Sequence, residues 1–175
     1  MNEKHLHSEQ IYNGRILNLR KDTVLLTNGK QATREIIEHD PAVVIIAYDT
    51  NKTIRLVKQY RTPVQKVLLE APAGIINKGE RPLNAAKREL QEETGLTATH
   101  WTPLGEAYPA PGFCNEYLYF FLAQDLQQGP TNPDEDEFLE QVSLSMAKYQ
   151  HHIQTKQIID AKTILSFFYI KELGL

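Results

Sequence analysis

The spacing of apolar residues changes several times along this 175-residue chain, and each change marks an element. From residue 11 to residue 38 the pattern is that of strands. Residues 23–27 and 32–38 flank Asn28-Gly29, a pair that tolerates positive φ and favours a tight hairpin turn. Asp40-Pro41 makes a joint, after which residues 42–48 form a nearly continuous apolar run, the mark of a strand covered on both faces. Asp49-Thr50-Asn51-Lys52 turns that run into a second strand over 53–60. A short strand over 67–71 ends at Pro72-Ala73-Gly74.

At Pro82 the period lengthens. Leu83, Ala86 and Leu90 recur at spacings of three and four, Pro82 suits a first helical turn, and Gly95 is placed to stop the last one. Two strand-like runs follow, 101–108 and 116–123, separated by Pro109-Ala110-Pro111-Gly112. An acidic loop over 133–137 leads to a strand over 138–145, and residues 145–152 suit a short helix. The spacing predicts a terminal helix over 161–173, with Ile164, Leu165, Phe168 and Leu173 on its apolar side. Mixed strands with embedded and terminal helices indicate an α+β protein or an α/β/α sandwich, with residues 1–40 as a small antiparallel β subdomain and 41–175 as the main domain.

Composition narrows the function classes. With 41% hydrophobic and 23% charged residues the chain can bury a real core, which sets aside overall disorder. A formal charge of −3 gives no general cationic surface, so no nucleic-acid partner is expected. The polar residues 1–10 lack the apolar core of a signal peptide, and no run approaches the roughly 20 apolar residues that span a bilayer. Cys114 is the single cysteine, which excludes an internal disulfide and suits a reducing compartment. No membrane partner and a cytoplasmic location are therefore expected. His5, His7, His151 and His152 read as exposed polar residues.

The helix beginning at Pro82 carries the chemistry. Glu89 and Glu93 lie four apart and so share a face, with Glu92 beside Glu89 on the next diagonal. Like charges at that spacing repel by a few tenths of a kcal/mol, and toward a helix C-terminus the dipole opposes them as well. A hard divalent cation is the natural counter-charge, since Mg²⁺ prefers carboxylate oxygen and keeps waters that a phosphate can replace. On these three residues alone, a solvated charged face is the better explanation of the pattern.

The longer spacing goes further. Gly74, five residues, Glu80, seven residues, Arg88-Glu89-Leu90, one residue, Glu92-Glu93, one residue, Gly95-Leu96 resembles the Nudix box at all nine of its defined positions. The resemblance implies a Nudix α/β/α sandwich of mixed sheets, hydrolysing nucleoside diphosphates linked to another moiety. By position it implies Glu89, Glu93 and the main-chain carbonyl of Ala73 as metal ligands, with Glu92 a ligand or close beside one. Arg88 would orient the carboxylates and Glu80 would support the box from its loop. About two or three Mg²⁺ ions, with Mn²⁺ as an alternative, would neutralise charge and activate water.

Outside the box the chain is similar to bacterial ADP-ribose pyrophosphatases. Pro111 follows Leu96 by fifteen residues, where that subfamily carries its marker proline, and Pro111-Gly112-Phe113-Cys114-Asn115-Glu116 resembles its loop ending in an acid. Lys58-Gln59-Tyr60-Arg61, Leu69-Glu70-Ala71-Pro72-Ala73-Gly74 and Asp160-Ala161-Lys162-Thr163 match as well. The resemblance implies a homodimer exchanging its N-terminal sheet, and ADP-ribose as substrate. Arg61 and Arg34, the latter from a partner subunit, would bind its phosphates through the planar fork that suits them, with Pro111 and Glu116 contributing to substrate binding. The general base would be Glu137, or next to it in preference Glu135, and Asp160 would cap the last helix. Two alternatives stay open: hydrolysis of other nucleoside diphosphate sugars or dinucleotides, and a ligand sensor that keeps the fold without catalysis.

Overall fold

The strand pattern of the first forty residues resolves into a three-stranded antiparallel sheet of β1 (Lys4–Asn13), β2 (Leu17–Leu25) and β3 (Gln31–His39) in the computed structural model, which describes residues 2–129 and 138–175. The turn from β2 to β3 is closed by Leu26 N–H donating to the Lys30 carbonyl at 2.8 Å, with Gly29 at φ 80°. β1 begins at Lys4 rather than near residue 11. Its ten residues are all exposed and mostly polar, so no apolar alternation announces it. What holds it is pairing with β2, reinforced by Ser8 donating to Asp22 at 2.7 Å and by the Lys21–Glu9 ion pair at 2.7 Å.

Residues 107–117 belong to the same compact unit as residues 1–41. They dock on β3: Ile37 N–H donates to the Phe113 carbonyl at 2.7 Å, Asn115 N–H to the Ile37 carbonyl at 3.1 Å, and His39 N–H to Asn115 Oδ1 at 2.8 Å.

The second unit comprises residues 42–106 and 118–175. Its strands are β4 (Ala42–Tyr48), β5 (Thr53–Arg61), β6 (Lys66–Glu70), β7 (Ala73–Ile75), β8 (Leu96–Ala107), β9 (Leu118–Gln128) and β10 (Glu140–Ser145). Among the described residues they form a mixed sheet in the order β10-β5-β4-β9-β8, with β6 paired to β5 and β7 to β4. β4 is buried along its whole length and runs parallel to β9. Its other edge is shared: Ala47 and Tyr48 pair with β5, whereas Ala42, Val43 and Val44 pair with β7. This fork places Ala73 and Gly74 at the sheet centre.

Helix α1 (Pro82–Thr94) covers one face, with Ala85, Ala86 and Leu90 packed on Val43, Ile45, Ala47, Phe121 and Ala123. Alternate residues of the same strands face the other side, where Phe120 meets Tyr169 of α3 (Ala161–Glu172), 5.2 Å between ring centroids. Tyr149 of α2 (Met146–Gln154) meets Phe167 of α3 at 5.4 Å. The architecture is an α/β/α sandwich.

α3 buries a different face from the one its apolar residues predict. Thr163, Ser166, Phe167 and Ile170 are buried, while Phe168 and Leu173 are about half exposed. Two polar residues can take the inner face because their hydroxyls are satisfied on the spot: Thr163 Oγ1 donates to Asp160 at 2.6 Å and Ser166 Oγ to the Lys162 carbonyl at 2.8 Å.

Candidate metal and active site

α1 starts on Pro82, whose missing N–H had no partner to lose, and ends at Gly95, which takes φ 66° and donates to the Gln91 carbonyl. Thirteen residues between these stops turn Glu89, Glu92 and Glu93 toward one side, with Glu93 itself buried. β7 lies beneath that side. Ala73 N–H donates to Glu93 at 3.2 Å, and the carboxylate of Glu89 rests against the α-carbon of Gly74, filling the volume a side chain there would need. Two carboxylates from successive helical turns thus meet adjacent residues of one strand.

Arg88 organises the acids. Its Nη1 donates to Glu89 at 2.5 Å and to Glu92 at 2.8 Å, while Nη2 donates to the Ile75 carbonyl at 3.0 Å. Nε and Nη2 both reach Glu80, at 3.2 and 3.0 Å, and Glu80 also accepts from Asn77 N–H at 3.0 Å. Bonding to Glu80, ahead of the opposing effect of burial, raises the Arg88 pKa above its ordinary value, with Glu89 and Glu92 adding to it. Arg88 in turn lowers the Glu80 pKa, against partial desolvation and with help from Asn77 N–H. The repulsion expected between Glu89 and Glu92 is offset by one forked cation, while Glu93 accepts its hydrogen bond from Ala73 N–H.

A second charged cluster stands at the end of β6. Glu70 is 1% exposed and receives Arg61 Nε and Nη2, each at 2.8 Å, while Lys162 of α3 pairs with the same carboxylate and with Asp160 at 3.1 Å. Burial pushes the Glu70 pKa up, but the Arg61 bonds and the Lys162 charge outweigh it and the net direction is down. Arg61 is correspondingly raised, chiefly by Glu70. Arg61, expected at the substrate's phosphates, directs two of its donors to Glu70. No spacing in the sequence joins Glu70 to Lys162, which lie far apart in the chain; the local hint is that Glu70 is the one buried residue of β6, closing the apolar run Val67-Leu68-Leu69.

The remaining candidates lie in the N-terminal unit. Arg34 on β3 forms a forked ion pair with Glu3, with Nε at 3.1 Å from the carboxylate. Pro111 opens the turn that docks on β3, and Glu116 approaches His39 Nδ1 at 3.8 Å. Cys114 is a half-buried loop residue whose Sγ accepts from Glu116 N–H at 3.4 Å. Glu137 and Glu135 lie outside the described residues.

Residues 38–164 match the NUDIX domain family, and residues 3–37 match the nucleoside diphosphate sugar hydrolase N-terminal domain. Over 173 residues the chain is 37% identical to the ADP-ribose pyrophosphatase of Bacillus subtilis (strain 168), covering 98% of this chain and 94% of that one. It is also 37% identical over 171 residues to the methanol dehydrogenase activator of Bacillus methanolicus, covering 97% and 92%. The crystal structure of an ADP compounds hydrolase matches with a TM-score of 0.89 over 99% of this chain and 94% of that one; at 24% identity this is a likeness of fold.

Proposed function

The chain belongs to the Nudix family, and on that premise we propose that it is a Mg²⁺-dependent pyrophosphohydrolase that splits ADP-ribose into AMP and ribose 5-phosphate. The observation that carries the reading is the convergence of Glu93 on Ala73 and of Glu89 on Gly74. Hydrolases of this family generally need a divalent metal, and the donor set fits one. Mg²⁺ is typically held by one or two carboxylates together with substrate phosphates and waters rather than by a closed protein cage. Among the described residues no group of three or more His, Cys, Asp or Glu side chains is placed to hold a metal ion by itself.

When bound, the cation neutralises charge on the diphosphate and lowers the pKa of the attacking water. The residues that would hold it are Glu89, Glu93 and the Ala73 carbonyl, with Glu92 beside them and Mn²⁺ as an alternative ion. Arg88, anchored by Glu80, keeps Glu89 and Glu92 in place through the reaction. Arg61 and Arg34 are assigned to the substrate's phosphates, and Pro111 and Glu116 to the substrate. A water oxygen bonds to one phosphorus as the P–O–P bridge breaks, and its proton goes to Glu137, with Glu135 the next choice.

The reading includes a cytoplasmic homodimer. No helix among the described residues is long and apolar enough to cross a membrane. β1 is an edge strand of ten exposed residues that include Leu6, Ile11 and Tyr12, an edge that a second copy would cover. A second reading, hydrolysis of other nucleoside diphosphate sugars, is favoured by the broader description of the N-terminal family.

The test is a panel of ADP-ribose, other nucleoside diphosphate sugars and dinucleotides at equal concentration, with and without Mg²⁺, with products identified. AMP and ribose 5-phosphate in equal amounts, formed fastest from ADP-ribose, is the expected result. Preference by orders of magnitude for another compound selects the second reading, and no turnover of any compound defeats both.

A further inference from the structure

Between β6 and β7 the chain passes through Ala71-Pro72 with no regular structure of its own, yet both residues are buried. Each of five consecutive residues there is tied to an element outside the segment. Glu70 is bound by Arg61 of β5 and Lys162 of α3, and Ala71 N–H donates to Thr163 Oγ1 at 2.7 Å. The Pro72 carbonyl accepts from Ile45 N–H of β4 at 2.8 Å. Ala73 and Gly74 then meet Glu93 and Glu89 of α1.

Two of those ties come from the first turn of α3, where Thr163 is itself locked. Its N–H and hydroxyl both donate to Asp160 Oδ2, at 3.0 and 2.6 Å, and its carbonyl accepts from the buried Tyr149 hydroxyl at 2.6 Å. An apolar residue at this fully buried helix position would leave the Ala71 N–H without its partner, which costs stability because a buried donor left unpaired is not re-solvated. A hydroxyl at that place does what an apolar side chain cannot: it fixes one main-chain N–H two residues before Ala73.

We propose that the first turn of α3 sets the Ala73 carbonyl for metal binding, with Thr163 and Lys162 as positioning residues that act through Ala71 and Glu70. The inference rests on the metal reading of Ala73, Glu89 and Glu93. Groups that orient metal ligands from behind typically cost about 10–100-fold in metal affinity when removed.

The experiment measures Mn²⁺ binding to the protein alone by electron paramagnetic resonance, together with the Mg²⁺ dependence of turnover and the melting temperature. Glu93→Gln tests the underlying reading and is expected to abolish binding. Thr163→Val keeps the side-chain shape and is expected to weaken Mn²⁺ binding about tenfold or more while raising the Mg²⁺ needed for half-maximal rate; Thr163→Ser restores both. Lys162→Met leaves the hydroxyl in place, provides an independent reading, and is expected to weaken binding severalfold. If Glu93→Gln binds Mn²⁺ as the wild type does, the metal reading fails and the inference with it. If Glu93→Gln abolishes binding while Thr163→Val and Lys162→Met bind as the wild type, and lose only melting temperature, the metal reading stands and the inference alone is overturned.

Discussion

The carboxylate of Glu89 occupies the place where a side chain on Gly74 would begin: a β-carbon added at residue 74 collides with Glu89 Cδ and both of its oxygens. Gly74 lies in a strand at an ordinary negative φ, so its value here is the space it leaves rather than conformational freedom. Gly74→Ala therefore displaces the end of a flexible side chain and spares the backbone. Turnover is expected to fall about 10–100-fold, with the melting temperature moving by no more than about 4 °C. Steady-state rates and thermal melts check this; a wild-type rate in the variant would show that the contact does not matter.

Arg88 is bonded to Glu80, Glu89, Glu92 and the Ile75 carbonyl. Arg88→Ala leaves three acids and a carbonyl without it and is expected to cost about 1–3 kcal/mol, with most of the activity. Arg88→Lys recovers little of either, since an ammonium is a point charge and cannot reproduce the fork. Denaturant unfolding and turnover of the pair decide it, and full rescue by lysine would contradict the geometric role.

Acid sensitivity follows from two lowered pKa values. Arg61 and Lys162, outweighing burial, lower that of Glu70, and Arg88 lowers that of Glu80. A carboxylate whose pKa is lower folded than unfolded contributes stability that is complete above the unfolded value of about 4.3 and is lost as pH falls through the folded value. Stability should therefore decline below about pH 4.3, and Glu70→Gln, although less stable at neutral pH, should show a shallower decline there. Unfolding free energies between pH 7 and 3 provide the measurement, and parallel acid limbs in the two proteins would contradict it.

α1 and its acids were legible because everything that defines them is local: a proline at the start, apolar residues at spacings of three and four, a glycine at the stop, carboxylates at fixed offsets. The α/β/α architecture followed from runs such as 42–48, whose burial on both faces leaves an unbroken apolar pattern. What stayed hidden depended on long-range satisfaction of polar groups. β1 is polar and paired only through its neighbour, and β7 is three residues long. The inner face of α3 carries Thr163 and Ser166, so an apolar count selected the wrong side. The Glu70–Lys162 pair spans 92 positions, and no spacing rule connects residues that only the fold brings together.

The proposed homodimer makes its own prediction. Deleting residues 2–13 removes β1 and the exposed Leu6, Ile11 and Tyr12. Sedimentation equilibrium is expected to give twice the chain mass for the full-length protein and a monomer for the shortened one. A full-length monomer would exclude sheet exchange between subunits.

The most direct measurement is release of AMP from ADP-ribose with saturating Mg²⁺, compared between the wild type and Glu93→Gln. Glu93 is buried against the Ala73 main chain, so glutamine fits the same space and can still accept that N–H bond, while the charge a cation needs is gone. The expected result is Mg²⁺-dependent AMP release by the wild type and a loss of about 100-fold or more in the variant at similar melting temperature. An unchanged rate in Glu93→Gln, or AMP release that needs no divalent ion, would contradict it.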